Sequence, residues 1–263
     1  MYANYHTHTS RCHHATGSDE AYVTGAIQAG FSVLGFSDHS PWPFSDHHKS
    51  PIRMDVEELP GYVASLQSLR AKYRKEITLY IGLECEYFPE YFPWLEEQKK
   101  RYHLDYVILG NHFQTSDETG FYYGSCRTAG QLASYVEHCI RGMESGEYLY
   151  LAHPDLMFHT WPVFDEDARA ASRELCRAMQ KGGYVLEYNL QGILNHGKHP
   201  GTLGYPTPGF WQIASEEGCR VIVGVDAHSI PAISTTREFD QAVAFLRSVG
   251  LEPVQSLPIG GEG

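Results

Sequence analysis

Short apolar, β-branched runs alternate along this chain with longer segments of helical spacing, and that alternation restricts the fold more than any other feature. Strands are predicted at Ala3–His6, Ser32–Asp38, Ile77–Glu84, Tyr106–Gly110, Tyr148–Ala152, Tyr184–Tyr188 and Arg220–Val225. Helices are predicted between them at Ser18–Ala29, Val56–Lys75, Pro93–Tyr102, Ala129–Glu144, Glu166–Lys181 and Thr207–Glu217, with a last one near Phe239–Val249. Ser18 or Asp19 can cap the first helix and Gly30 can end it; Asp165 and Gly182-Gly183 serve the helix containing Leu175 and Met179 in the same way. Repeated strand-then-helix units require parallel strands joined by right-handed crossovers. An α/β fold follows, a distorted (β/α)7 TIM-like barrel or an open doubly wound sheet, which share this local pattern. A length of 263 residues suits one such domain spanning 1–263. Two long loops, 41–51 (PWPFSDHHKSP) and 191–208, follow strands and could serve as lids.

Composition narrows the partners. The formal net charge of −12 argues against a nucleic-acid backbone, yet it leaves a phosphorylated small molecule open, because bound metal ions can invert the local field. No run of about 18 apolar residues is present, so no membrane span is expected. Met1 is not followed by a basic region and an apolar run, so no signal peptide is expected either. The six cysteines are spread out with no C-x-x-C pair and read as reduced thiols, which together point to the cytoplasm. The Gly/Glu tail after Leu257 reads as frayed.

The fifteen histidines carry the chemistry, through their positions. The predicted strands end in His6-Thr7-His8, Asp38-His39, Glu84-Cys85-Glu86, Asn111-His112, His153-Pro154-Asp155, Glu187-Tyr188-Asn189 and Asp226-Ala227-His228. In a parallel α/β fold the C-terminal strand ends share one face, so these residues converge. One H-x-H is weak on its own; such groups at every strand end are a site. The strand period of two puts His6 and His8 on one face, and Asp226-x-His228 repeats the spacing, although a turn after the strand can break the alternation. Imidazole with carboxylate suits zinc, manganese or iron, and the donors outnumber what one tetrahedral ion needs, so two or three divalent ions are expected. Asp38 and Asp155 read as helix caps or as acceptors that orient a ligand imidazole. His13, His47, His48, His103, His138, His159, His196 and His199 are assigned to surface or core roles, and Cys85 to the core.

Taken in order, HTHT with His14 six residues after His8, then SDHS, GLECE, GNH, AHPD and VDAH, the sequence resembles the polymerase and histidinol phosphatase (PHP) family from residue 5 to about 229. HTHTSRCHHATG, ILGNHF and YLAHPDLMF are most similar to its histidinol-phosphate phosphatase branch. The resemblance implies a seven-stranded barrel with a trinuclear site. His6, His8, Glu84 and Asp226 would hold one ion; Glu84 (bridging), His112 and His153 the second; His14, His39 and His228 the third. Asn4 stands where many members have Asp, and His13 beside His14 leaves the choice of ligand to the six-residue offset.

The expected function is a phosphomonoesterase of histidine biosynthesis that cleaves L-histidinol phosphate by attack of a metal-bridging hydroxide. Catalytic roles fall to Glu84 and Asp226, with Asp226 the first candidate for protonating the leaving group and His228 the second. Arg127 is a candidate phosphate clamp or a surface arginine; Phe113, Trp42 and Tyr123 are candidates for a substrate pocket or the core. Competing readings are a PHP-type esterase of another small phosphate ester or nucleotide, an amidohydrolase-like C–N hydrolase, and a non-catalytic metal-binding protein. No lysine stands at a predicted strand end to form the carbamylated bridge of the amidohydrolases, and no position of the ligand pattern is missing.

Overall fold

The computed structural model describes residues 2–44, 48–195 and 200–259. His47, His196 and His199 lie outside the described residues, as does the end of the tail at 260–263. The chain divides into two compact units, one of residues 1–108, 225–237 and 255–263, the other of 109–224 and 238–254. Both are mixed α/β structures built on parallel strands.

The first unit holds β1 (Tyr2–Asn4), α1 (Asp19–Ala29), β2 (Phe31–His39), α2 (Leu59–Tyr73), β3 (Thr78–Cys85), α3 (Phe92–Tyr102) and the start of β4 (Tyr106–Leu109). The sheet order is β1-β2-β3-β4. Beyond β1 the chain continues to bond on both sides. Ser37 N donates to Thr7 O at 2.9 Å, and His8 N donates to Ala227 O at 3.0 Å, so residues 225–227 flank β1 opposite β2. Val33↔Thr78 through His39↔Glu84 pair in unbroken register, which brings His39 level with Glu84. Gly35 and Gly82 leave room for Tyr106: a Cβ on Gly82 would lie 2.5 Å from the Tyr106 carbonyl oxygen. The Tyr106 hydroxyl uses that room to donate to Tyr5 O at 2.6 Å.

The helices start and stop where the capping residues dictate. Ser18 accepts from Ala21 N to open α1, and Gly30, at φ 89°, closes it in the left-handed region that lacks a Cβ penalty. The predicted helix 56–75 begins as a 3-10 turn at Val56–Glu58, and the α-helix starts only at Leu59, with Pro60 in its first turn.

In the second unit lie α4 (Ala129–Glu144), α5 (Glu166–Gly182), β5 (Val185–Asn189), α6 (Leu190–Asn195), α7 (Pro208–Glu216), β6 (Arg220–Gly224) and, past the short α8 (Ile230–Ile233) of the first unit, α9 (Arg237–Ser248). In α5, Ala168, Ala171, Leu175, Cys176 and Met179 form the buried stripe at helical spacing, and Asp165 caps the Ala168 amide at 2.9 Å.

Two expectations need correction, and one element is new. The strand predicted at Tyr148–Ala152 is reduced to single-residue bridges at Leu151, to Leu109 on one side and Leu186 on the other. Only Tyr150–Ala152 bond to the neighbouring segments, and His153 turns the chain immediately afterwards at φ 29°. Residues 191–208 are not all loop, since α6 grows directly from the end of β5. A further short helix, α8, occupies residues to which the sequence assigns no element.

All six cysteines are free and buried. Among the described residues, no helix is long and apolar enough to cross a membrane.

Candidate metal centre

In the first unit four side chains of the predicted set meet at their tips. His6 Nε2 and His8 Nε2 stand 3.2 Å apart. Glu84 Oε2 is 3.4 Å from each of them, and Asp226 Oδ1 is 3.4 Å from His6 and 3.1 Å from His8. A tetrahedral ion with bonds of about 2.0–2.1 Å holds its donor atoms about 3.3–3.4 Å apart. The residues therefore fit a divalent ion on geometry as well as on donor type. Two imidazole nitrogens facing each other at this distance, with carboxylates closing the cluster, form a cage for a cation.

The backbone explains how distant residues reach this point. β1 and the segment 225–227 lie side by side, and Asn4 ties them: Oδ1 accepts from Val225 N at 2.8 Å and from His6 N at 3.3 Å. Its amide nitrogen donates to His6 O at 3.0 Å and to Thr7 Oγ1 at 2.8 Å. Asp226 then takes φ 52°, a left-handed conformation uncommon outside glycine, and this breaks the two-residue alternation expected for Asp226-x-His228. Both side chains still approach one another, with His228 Nδ1 at 3.3 Å from Asp226 Oδ1 and 3.0 Å from Asp226 O.

Asp38 orients rather than joins the cage. Its Oδ1 is 3.3 Å from His8 Nδ1 and accepts from His39 N at 2.9 Å, while Oδ2 accepts from Thr9 N at 3.1 Å and from the Thr9 hydroxyl. Held by Asp38, the His8 ring presents Nε2 to Glu84 and Asp226, as carboxylate partners do for metal-ligating imidazoles. His39 Nδ1 lies 3.1 Å from Glu84 Oε2. Around His8 the other rings gather: His228 stacks at 4.0 Å between centroids and His39 lies at 4.4 Å. His14 is 4.6 Å from His228 and 5.4 Å from His39. His14 is partly exposed, so the cluster opens to solvent there. His13 is also exposed, at φ 66°, and has no ring contact with the cluster among the described residues.

Charges in the metal-free protein are set by burial against these contacts. Burial pulls the His8 pKa down, but the hydrogen bonds its ring donates to Asp226 and Asp38 outweigh it and hold His8 well above its usual value. Burial pushes the Asp226 carboxyl up, yet His6, His228 and His8 bring it well below the carboxylate range. Burial drops His228 to about 3, which leaves it neutral with a free lone pair. An anionic Asp226 and a neutral His228 are the states a metal ligand needs.

In the second unit, His112 and His153 face each other with centroids 4.8 Å apart. His153 is set by its neighbours. Tyr135 Oη donates to His153 O at 3.2 Å, and His153 N donates to Glu187 Oε2 at 3.2 Å. Glu187 also receives Tyr150 Oη at 3.1 Å and Asn189 Nδ2 at 2.9 Å, so this strand-end acid braces the backbone. Asp155 accepts from Thr207 N at 2.5 Å, and burial pushes its carboxyl up to about 7.

Several other predicted residues are held by local partners. Glu86 is engaged by other partners: Arg53 Nη2 donates to it at 2.9 Å and Trp42 Nε1 at 2.7 Å, forming a buried clamp. The sequence gives no sign of this pairing across the 41–51 loop. Tyr123 is core, with its hydroxyl 3.0 Å from Ser134 Oγ. Arg127 donates to Cys126 O at 3.3 Å and to Thr160 O, which commits part of its guanidinium to the backbone. Phe113 packs against Tyr122 at 5.4 Å.

The PHP domain family model matches residues 4–191. The chain belongs to the PHP domain family. A "Probable histidinol-phosphatase" of Deinococcus radiodurans is 29% identical over 250 residues, covering 93% of this chain and 92% of that protein. A histidinol-phosphatase of Lactococcus lactis is 25% identical over 200 residues, covering 71% and 70%. The crystal structure of a Lactococcus lactis histidinol phosphate phosphatase, complexed with zinc, L-histidinol and phosphate, superposes with a TM-score of 0.70 at 18% identity. It covers 96% of this PHP protein and 95% of its own chain.

Proposed function

We propose that this PHP protein is a metal-dependent phosphomonoesterase that cleaves L-histidinol phosphate to L-histidinol and phosphate, in the cytoplasm. The donor cage of His6, His8, Glu84 and Asp226, with spacings of 3.1–3.4 Å, carries the metal part of this reading. The substrate part rests on the histidinol-phosphatase relatives that match over most of their length. We assign one ion to the cage, one to His14, His39 and His228, and the remaining one to His112 and His153. A distorted (β/α)7 barrel forming a single domain is the fold we assign to the whole chain.

Divalent ions bound there would lower the pKa of water towards neutrality and neutralise charge on the phosphoryl oxygens. The protein's own residues do the rest. Asp38 fixes the His8 ring, and Asn4 fixes the backbone that carries His6 and Asp226. Asp226, an anion beside His6, His8 and His228, can take the proton from the attacking water and return it to the departing alkoxide. The P–O bond to the alcohol breaks as the new P–O bond forms, so the alkoxide leaves with that proton as L-histidinol.

Glu84→Gln is the direct test, since the amide keeps the shape and removes the anion. Phosphate release from L-histidinol phosphate is expected to fall at least about 100-fold, with cooperative unfolding retained. Unchanged turnover in the variant would rule out the assigned centre. Metal-loaded protein that cleaves p-nitrophenyl phosphate without preferring histidinol phosphate would leave the phosphatase and remove the substrate.

A further inference from the structure

The turn between β1 and α1 brings a thiol to the histidines. Thr9 opens a 3-10 turn at Ser10–Cys12, and His13 closes it in the left-handed region at φ 66°. The reversal leaves His13 and His14 exposed while Cys12 is fully buried. Cys12 Sγ, a ring nitrogen of His14 and a ring nitrogen of His228 all lie within 4.8 Å of one another. Sγ shares a second grouping of the same span with His8 and Asp38. A structural cysteine normally packs among apolar groups, but these named neighbours of Cys12 are imidazoles and a carboxylate.

His228 supplies an independent pointer. Its Nδ1 is taken up by Asp226, whereas its buried Nε2 has no hydrogen-bond partner among the described residues. A buried polar nitrogen left without a partner is costly unless something binds it. Cys12 Sγ and a ring nitrogen of His14 lie within 4.8 Å of a ring nitrogen of this same imidazole.

We propose that Cys12 is a ligand of the ion held by His14 and His228, binding through Sγ as a thiolate. The proposal rests on the metal-centre reading above and adds a soft donor to one position of it. The thiol proton leaves to solvent as the S–metal bond forms, with no change of oxidation state. A nitrogen–sulfur donor set favours zinc, cobalt or iron(II) over manganese, whereas the carboxylate-bearing cage of His6, His8, Glu84 and Asp226 accepts harder ions. The two positions would then differ in metal preference, and manganese would displace zinc from the cage more readily than from Cys12.

Optical titration of the chelated full-length chain with cobalt(II), under reducing and anaerobic conditions, tests this. The expected result is a near-ultraviolet thiolate-to-cobalt charge-transfer band that saturates with a single ion. It should vanish in Cys12→Ser, while the visible d–d bands of the other positions remain. Zinc affinity at that one position should fall at least about tenfold. Cys12→Ala, checked by circular dichroism, provides the folded control if the serine variant misfolds, and the wild-type spectrum bears on the proposal without either. Cobalt binding with d–d bands but no thiolate band would overturn the role of Cys12 and leave the metal centre standing. A band that survives in Cys12→Ser would overturn it too. Failure to bind cobalt at all would remove the metal centre itself, and this proposal with it.

Discussion

Asn4 shows how a single amide can hold a metal site together. Its oxygen accepts two backbone N–H groups, while its nitrogen points at the His6 carbonyl and the Thr7 hydroxyl. Asp in its place would set a carboxylate oxygen against a carbonyl oxygen at about the 3.0 Å now spanned by a hydrogen bond. Asn4→Asp is expected to cost about 1–3 kcal/mol, read as a lower urea midpoint at unchanged m-value. The departure from Asp was visible in the sequence, but its consequence was not, because it depends on which atoms lie across from residue 4. The His6-x-His8 pair was legible from strand period alone. Cys12 was not, since nothing in the spacing tells a buried thiol among imidazoles from one in the core.

Protonation follows from the same contacts. His8 is held above its usual value near 6.5, so in the metal-free chain its charge stabilises the fold fully below about pH 6.5. That contribution is lost as pH rises through the raised pKa. Asp226 has the opposite sign: its contribution is present above about pH 3.9 and is lost as pH falls through its depressed pKa. A ligand His8 must be neutral, so metal binding at pH 7 should release its proton, and affinity should rise with pH until the raised pKa is passed. Calorimetric titration in buffers of different ionisation enthalpy measures that proton; binding without proton release would contradict the His8 assignment.

At the scale of elements, the strand-then-helix pattern transfers well because each element has its own local signal. Capping by Ser18, Thr128 and Asp165 places three helices within a residue or two of expectation. The failures have a common cause, which is that elements of a few residues are set by tertiary pairing. Tyr150–Ala152 bonds to both neighbouring segments yet is too short to form a regular strand. α6 has no separate start signal because it continues straight from β5. Gly224 in β6 ties an element to the site: a Cβ there would fall 1.9 Å from Glu187 Oε1, the acid that braces His153. Gly224→Ala should therefore push Glu187 off the His153 amide and weaken zinc binding by about 10–100-fold. A variant that binds zinc as the parent does would show that Glu187 has no part in placing His153.

For the molecule as a whole, the proposed activity requires an acidic chain with a net charge of −12 to attract a phosphate ester. Divalent ions outweighing the carboxylates that hold them would supply that local attraction, which would link metal content to substrate binding as well as to chemistry. The most direct measurement is phosphate release from L-histidinol phosphate by the full chain before chelation, after chelation and after metal is restored, with p-nitrophenyl phosphate run beside it. The account predicts turnover that disappears with the metal, returns with zinc, manganese or iron, and favours histidinol phosphate by at least about tenfold in kcat/KM, a difference of about 1.4 kcal/mol. Turnover that survives complete chelation, or a fully metal-loaded chain that leaves L-histidinol phosphate intact, would contradict it.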